Sequence, residues 1–140
     1  MTSEACACAV LLRDGAVLLG RRAPHKRSYP NCWDILGGHV ESGETPTDAL
    51  IREVEEEAGV TPTAFEPIGF FAEPNPEING PVGYHVFAVT EWAGGEPAML
   101  GDEHTEFRWF PLAEAGELAD LAVPQYKQLF QSIAESGRRR

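Results

Sequence analysis

The chain shows two periodicities of apolar and polar residues, one typical of strands and one typical of helices. Apolar runs at residues 5–12 and 16–22 predict two strands, and Arg13-Asp14-Gly15 between them predicts a hairpin turn. Further strands are predicted at residues 33–36, 65–73, 84–92 and 106–110. Helical spacing predicts a short helix at 112–118 and an amphipathic helix at 124–135, whose apolar side carries Tyr126, Leu129, Phe130 and Ile133.

The best-defined predicted helix occupies residues 46–58, between turn-forming glycines. Thr45 is a suitable N-cap, Pro46 suits the first helical position, and Asp48 stands where a capping box places its acidic residue. Gly59 can adopt the left-handed conformation that ends a helix. Residues three and four apart share a helix face, so an apolar stripe is expected to pack on a sheet, formed by Leu50, Val54 and Ala58.

Beside that apolar stripe the same helix carries a stripe of carboxylates, formed by Glu53, Glu56 and Glu57. Carboxylates that converge next to a packed face repel one another and lose part of their hydration. A divalent cation would turn this repulsion into ligation, and oxygen ligands suit Mg²⁺ or Mn²⁺ better than Zn²⁺. Arg52 lies one turn before Glu56 and can brace it.

The segment from Gly37 to Val60 resembles the Nudix box, G-x5-E-x7-R-E-U-x-E-E-x-G-U, in which U is a bulky aliphatic residue. Every fixed position matches, at Gly38, Glu44, Arg52, Glu53, Val54, Glu56, Glu57, Gly59 and Val60. The resemblance implies an α/β protein with the Nudix fold, an α/β/α sandwich built on a mixed β-sheet, with the loop-helix-loop on one sheet face. We expect one domain at residues 1–136 and a disordered basic tail at 137–140.

The resemblance also implies an activity: hydrolysis of the phosphoanhydride in a nucleoside diphosphate linked to another group, X. It implies Mg²⁺ as the cofactor, for which Mn²⁺ can substitute. The metal ligands that it implies are Glu53, Glu56, Glu57 and the carbonyl of Gly37 or Gly38. Arg52 would orient the carboxylates with Glu44 as its second partner, so Glu44 and Gly59 are expected to be structural parts of the motif.

Many relatives add a glutamate from a loop beyond the box, as a ligand or as the general base. The segment 101–106 occupies the comparable place in this chain. Glu103 is the preferred candidate and Glu106 the alternative, while an ordinary charged loop would explain both. The general base therefore stays open between Glu53 and Glu103.

A polar loop at residues 23–31 carries the densest positive charge before the C-terminal tail. With the end of the preceding strand it supplies Arg21, Arg22, His25, Lys26 and Arg27. This segment is either a solvated loop or an arm that contacts substrate phosphate or base. Candidate base contacts elsewhere, each also typical of a protein core, are Trp33, Phe71, Tyr84 and His85.

Composition narrows the range of partners. The net charge of −11 argues against binding to nucleic acid polymers, so a small nucleotide derivative is the expected partner. The three cysteines do not form a disulfide framework, and Cys6 and Cys8 alternate with alanines as if on one face of a strand. The sequence predicts neither a membrane span nor a signal peptide, so we expect a cytoplasmic protein. A homodimer is a possible oligomeric state.

Four functions compete at this point. A MutT-like nucleoside triphosphate pyrophosphatase is favoured by the small size of the chain. An ADP-ribose or sugar-nucleotide hydrolase would carry a proline about fifteen residues past the box, a spacing that Pro74 and Pro76 bracket without matching. A dinucleoside polyphosphate hydrolase would carry an aromatic residue that is not evident near 75–79. A non-catalytic nucleotide sensor is the alternative of another class, although such modules usually lose box glutamates.

Overall fold

The computed structural model describes residues 4–138, which form one mixed sheet of seven strands with helices on both faces. The strands are β1 (Glu4–Arg13), β2 (Ala16–Arg22), β3 (Trp33–Asp34), β4 (Leu36–His39), β5 (Thr61–Ala72), β6 (Val82–Ala93) and β7 (His104–Pro111). The helices are α1 (Pro46–Ala58), α2 (Pro76–Asn79), α3 (Leu112–Gly116) and α4 (Gln125–Arg138). No helix in this described part of the chain has the length and apolar character needed to cross a membrane.

Strand β1 lies at the centre of the sheet. It pairs in parallel with β6, and in antiparallel fashion with β4 along residues 6–9 and with β2 next to the hairpin turn. The strand order is β3-β2-β1-β6-β5, with β4 added at β1 and β7 at β2. The parallel β1–β6 pair within an otherwise antiparallel sheet confirms the predicted mixed α/β architecture.

Alternate residues of β1 face two separate cores. Cys6 and Cys8 belong to the core that α3 and α4 cover, as the cysteine–alanine alternation predicted. Ala7 and Ala9 belong to the other core and are fully buried beneath α1. The expected apolar side of α4 is buried in the first core through Tyr126, Leu129 and Phe130, with Ile133 packed against it. Helices on both sheet faces confirm the α/β/α sandwich.

The signals that predicted α1 are confirmed in detail. The side chain of Thr45 accepts a hydrogen bond from the backbone N–H of Asp48, whose carboxylate accepts from the N–H of Thr45. Gly59 ends the helix at a φ of 70°, in the left-handed region that its lack of a side chain permits. The predicted apolar stripe is buried against the sheet at Leu50, Val54 and Ala58.

Several predicted boundaries were wrong. The predicted strand at 33–36 is two strands, because Trp33–Asp34 pairs with β2 whereas Leu36–His39 pairs with β1. The diglycine expected in a turn lies within β4, and β5 begins four residues before the predicted start at residue 65. Residues 76–79, where no helix was predicted, form the one-turn helix α2. Backbone helix continues to Arg138 within the predicted tail, while residues 139–140 lie outside the described part.

Candidate functional site

Three carboxylates converge where α1 faces the loop before β7. Glu53, Glu57 and Glu103 each offer an oxygen atom, and these atoms all lie within 4.8 Å of one another. We call these three residues the carboxylate cluster. Helix periodicity brings the first two together, since they are one turn apart, and the pairing of β2 with β7 brings the third from another part of the sheet.

The diglycine of β4 makes room for this cluster. A Cβ atom at Gly38 would lie 2.3 Å from the carboxyl carbon of Glu53, so a side chain at residue 38 would displace that carboxylate. The backbone N–H of Gly37 donates to Oε1 of Glu57 at 2.9 Å. The two glycines therefore let the helix carboxylates lie directly against the strand. Metal ligation by either glycine carbonyl stays a prediction.

Arg52 connects the cluster to the loop that precedes α1. Its Nε and Nη2 donate to the two carboxylate oxygens of Glu44 at 2.7 and 2.9 Å, and its Nη1 donates to Glu53 at 2.8 Å. Nη2 also donates to the carbonyl of His39 at 2.9 Å. These contacts match the expected partnership of Arg52 and Glu44. Because the guanidinium is hydrogen-bonded on all sides, it fixes the position of Glu53.

Glu56 and Glu106 lie outside the carboxylate cluster. The side chain of Glu56 is 59% exposed and lies 3.4 Å from Nη1 of Arg52, a longer contact than those of Glu44 and Glu53. Glu106 is on β7 and accepts from Arg108 at 2.6 Å. Of the two candidates beyond the box, Glu103 is thus the one that lies beside the helix glutamates. The catalytic and ligand roles of all these residues stay predictions.

The cluster carries an excess of negative charge in a partly dehydrated place. Burial, with the neighbouring carboxylates of Glu103 and Glu53, raises the pKa of Glu57 well above its usual range, against the stabilising N–H of Gly37. Burial also raises the pKa of Glu53, although Arg52 opposes it. Carboxylates that are hard to ionise together fit a divalent cation, and the all-oxygen donor set suits Mg²⁺ or Mn²⁺.

A cavity of about 850 Å³ opens next to the cluster and is lined in part by Glu57 and Glu103. Four of the predicted basic residues line it as well: Arg22, His25, Lys26 and Arg27. Nζ of Lys26 lies 3.3 Å from Oε1 of Glu103, so the basic loop and the acidic cluster meet at this point. Basic side chains thus line part of the cavity, together with acidic residues such as Asp34, in a chain with a net charge of −11.

The predicted base contacts divide into two groups. Tyr84 lines the cavity. Trp33 instead is buried in the core, where its ring packs edge-on against Phe110 with 5.0 Å between centroids. His85 packs against Phe70 at 4.6 Å between ring centroids, and Phe71 packs on the core beneath α4. The structure therefore brings Tyr84 to the cavity and leaves Trp33, His85 and Phe71 away from its lining.

Three residues of the site were not identified from the sequence. Nδ1 of buried His104 lies 3.5 Å from Oε2 of Glu57, and burial lowers the pKa of His104 to about 4, so its ring is neutral at neutral pH. Asp34 lies in the cavity wall 3.4 Å from Arg22, and buried Glu73 accepts hydrogen bonds from Tyr29 and Tyr84, which line the same cavity. A carboxylate placed in an otherwise apolar segment was the available signal for both acids.

Comparison with known proteins is consistent with this geometry. A sequence model of the NUDIX domain matches residues 2–133. The chain is 32% identical over 110 residues to an ADP-ribose pyrophosphatase of Methanocaldococcus jannaschii, covering 79% of this chain and 63% of that protein. It is also 32% identical over 119 residues to a CTP pyrophosphohydrolase of Escherichia coli, covering 83% of each chain.

A solved structure shows the same fold. The MutT protein from Methanosarcina mazei superimposes with a TM-score of 0.80 at 25% identity, covering 98% of this chain and 96% of that one. The chain spans 63% of the length of the archaeal pyrophosphatase, which is just under two thirds.

Proposed function

The chain belongs to the NUDIX domain family, and from this premise we propose that it hydrolyses the phosphoanhydride of a nucleoside diphosphate linked to a group X. The observation that carries the proposal is the convergence of Glu53, Glu57 and Glu103 within 4.8 Å beside a cavity whose lining also includes basic residues. The carboxylates could hold a cation at the reacting phosphate, while the basic residues could contact other phosphates of the same substrate. A pyrophosphate needs cations at its oxygens, and a purely acidic site could not accept it.

Glu53, Glu57 and Glu103 would hold the divalent cation, with Glu56 as a fourth candidate one turn along the helix. The chemistry that Mg²⁺ supplies when bound is neutralisation of phosphate charge and a lower pKa for water. Phosphoryl transfer depends on positioning and electrostatics more than on covalent chemistry by the protein.

The remaining roles fall to groups of the chain itself. Arg52 keeps Glu53 in place through its paired contacts with Glu44. Arg22, Lys26 and Arg27 would bind the phosphates that do not react, since they line the same cavity. Either Glu53 or Glu103 would accept the proton of the attacking water, because both carboxylates lie in the cluster and neither is as deeply buried as Glu57.

For the substrate class, we propose a nucleoside triphosphate, cleaved to the monophosphate and pyrophosphate. Support comes from the similarity to the CTP pyrophosphohydrolase, since the aligned region covers 83% of this chain and 83% of that protein. The name of the Methanocaldococcus relative supports ADP-ribose as the second candidate, although the chain covers less of that protein. A sensor without catalysis is disfavoured because every box glutamate is present.

The experiment is a substrate panel with Mg²⁺ and with Mn²⁺. It contains dGTP, 8-oxo-dGTP, CTP, ADP-ribose and diadenosine polyphosphates, and the products are identified by mass. We expect a nucleoside monophosphate and pyrophosphate from a triphosphate. AMP and ribose 5-phosphate from ADP-ribose would instead support the second candidate. Tight nucleotide binding with no turnover across the panel would establish the sensor and refute the enzyme.

A further inference from the structure

Glu73 is a buried carboxylate that the proposed chemistry does not use. It is 4% exposed and follows the end of β5. Its Oε1 accepts from the hydroxyl of Tyr84 at 2.6 Å, and its Oε2 accepts from the hydroxyl of Tyr29 at 2.7 Å and the N–H of Asn75 at 2.7 Å. The side-chain amide of Asn79 adds a contact at 3.4 Å. A buried charge is costly unless it is hydrogen-bonded, so a carboxylate with four neutral donors indicates a specific role.

These donors come from three separate elements. Tyr29 belongs to the basic loop, Tyr84 to β6, and Asn75 and Asn79 to the segment of α2. Tyr29, Tyr84 and Asn79 all line the cavity. One carboxylate therefore links the basic loop, the segment of α2 and strand β6, each of which contributes a residue to the cavity lining.

The backbone of the basic loop depends on such an anchor. Tyr29 has a φ of 53°, in the left-handed region that residues with a side chain rarely adopt. At the start of the loop, Nε of Arg22 donates to the carbonyl of Ser28 at 2.7 Å. The hydrogen bond from the Tyr29 hydroxyl to Glu73 fixes the adjoining part of the same loop. Strained backbone of this kind persists only where the surroundings determine it, and such positions cluster at ligand sites.

The two tyrosines differ from the basic residues in what they offer a ligand. Burial and the carboxylate of Glu73 raise the pKa of Tyr29 and of Tyr84, so both hydroxyls keep their protons. Each hydroxyl has a single proton, and each donates it to Glu73. The part of these side chains left for a ligand is chiefly the apolar ring. Aromatic rings suit the flat face of a nucleobase rather than a phosphate.

We propose that Glu73 is a positioning residue that holds Tyr29 and Tyr84 as an aromatic wall for the base of the bound nucleotide. This inference rests on the proposed function, because it assigns the base end of the same cavity. The phosphate end lies at Lys26 and Glu103, which approach each other to 3.3 Å beside the carboxylate cluster. Glu73 itself does not line the cavity, so it acts on the substrate through the residues that it holds, chiefly the two tyrosines at 2.6 and 2.7 Å.

The test compares Glu73→Gln with Glu77→Gln, a matched loss of one charge from an exposed glutamate on α2. Glutamine cannot accept from both tyrosines with two oxygens, so we expect about a tenfold rise in KM for the nucleotide, with kcat within about twofold. Inhibition by inorganic pyrophosphate, which has no base, should stay unchanged. Glu77→Gln should match the parent protein in all three quantities. An unchanged KM in Glu73→Gln, or a fall in kcat alone, would overturn the inference.

Tyr29→Phe and Tyr84→Phe keep the rings and remove the hydroxyls, so they decide the question if Glu73→Gln does not fold. Each should raise KM. Adding at least one of them to Glu73→Gln should raise KM little further, because glutamine has a single accepting oxygen and has already lost one of the two bonds. Full additivity would contradict the inference. If the parent protein turns over no nucleotide, the proposed function fails. The same variants are then compared by nucleotide dissociation constant, where unchanged values would also overturn the role of Glu73.

Discussion

Arg52 and Glu44 form a two-pronged ion pair, with Nε and Nη2 of the arginine 2.7 and 2.9 Å from the two carboxylate oxygens. Parallel bonds of this kind need the planar guanidinium, which lysine cannot replace. We therefore expect Arg52→Lys to lower kcat by at least about tenfold, although the charge is kept, because Glu53 loses its fixed position. Steady-state kinetics with Mg²⁺ measure this. A near-normal kcat in Arg52→Lys would show that the paired hydrogen bonds between Arg52 and Glu44 do not position the carboxylate cluster.

Removing the charge of Glu57 should separate activity from stability. Glu57→Gln should reduce turnover by at least about a hundredfold, since it removes a proposed metal ligand. The apparent melting temperature without metal should rise or stay unchanged, because the carboxylate repels Glu53 and Glu103 in a buried place. The stabilisation that Mg²⁺ confers on the parent protein should disappear.

The matched control for that variant is Glu55→Gln on the exposed face of α1, where the carboxylate accepts from Thr61 at 2.7 Å. It should keep both turnover and the Mg²⁺-dependent rise in melting temperature. If Glu57→Gln retains near-normal activity with Mg²⁺, the assignment of the metal site is wrong.

Glu103 and Glu106 give a direct comparison within one loop and strand. Glu103 lies in the carboxylate cluster, whereas Glu106 pairs with Arg108 at the surface. Glu103→Gln should lower kcat by about 10–1000-fold, the range for a lost base or electrostatic contact. Glu106→Gln should stay within about twofold of the parent protein. Comparable losses in the two variants would remove the distinction on which the choice of Glu103 rests.

The exposed side chain of Arg27 lines the cavity and should act on substrate binding. Arg27→Ala is expected to raise KM by about three- to tenfold and to leave kcat nearly unchanged, because a contact that is equal in ground and transition states affects only binding. The effect should shrink as salt is added, since exposed charges are screened. Kinetics at two ionic strengths test this, and an effect on kcat alone would contradict it.

Asp34 should make the stability of the fold depend on pH. Burial raises the pKa of Asp34 from 3.8 to about 6, against the opposing effect of Arg22. The folded state thus holds this proton more tightly than the unfolded chain, so the contribution to stability is present below the unfolded pKa and is lost as pH rises through the folded one.

Asp34→Asn lacks this titrating group. Between about pH 4 and 6, its free energy of unfolding should therefore increase relative to that of the parent protein by about 1 kcal/mol per pH unit. Urea titrations of both proteins at several pH values measure the difference. A difference that stays constant across this range would refute the assignment.

Local signals in the sequence were enough for α1, its caps and its carboxylates. Thr45, Asp48 and Gly59 each act through residues at most four positions away, so their spacing predicts their contacts. The contact between Arg52 and Glu44 could also be predicted, because the motif fixes their spacing along the chain. The proposed metal ligands of the box could be selected for the same reason.

Contacts between distant segments could not be obtained in this way. The meeting of His104 with Glu57, and of Glu73 with Tyr29, depends on strand pairings that bring together residues 47 and 44 positions apart. Trp33 was an equally plausible candidate for substrate or core until the pairing of β3 with β2 placed it inside. Periodicity also could not show that residues 33–36 divide between two partners.

Ala7 and Ala9 put the smallest methyl-bearing side chains of the protein directly under α1. Their size sets how closely the helix axis approaches the sheet, and so sets the height of Glu53 and Glu57 above β4. A bulkier residue such as valine at either position would push the helix outward and carry the carboxylates away from the glycines. Two buried alanines beneath the helix therefore set the position of the carboxylate cluster, although neither of them lines the cavity.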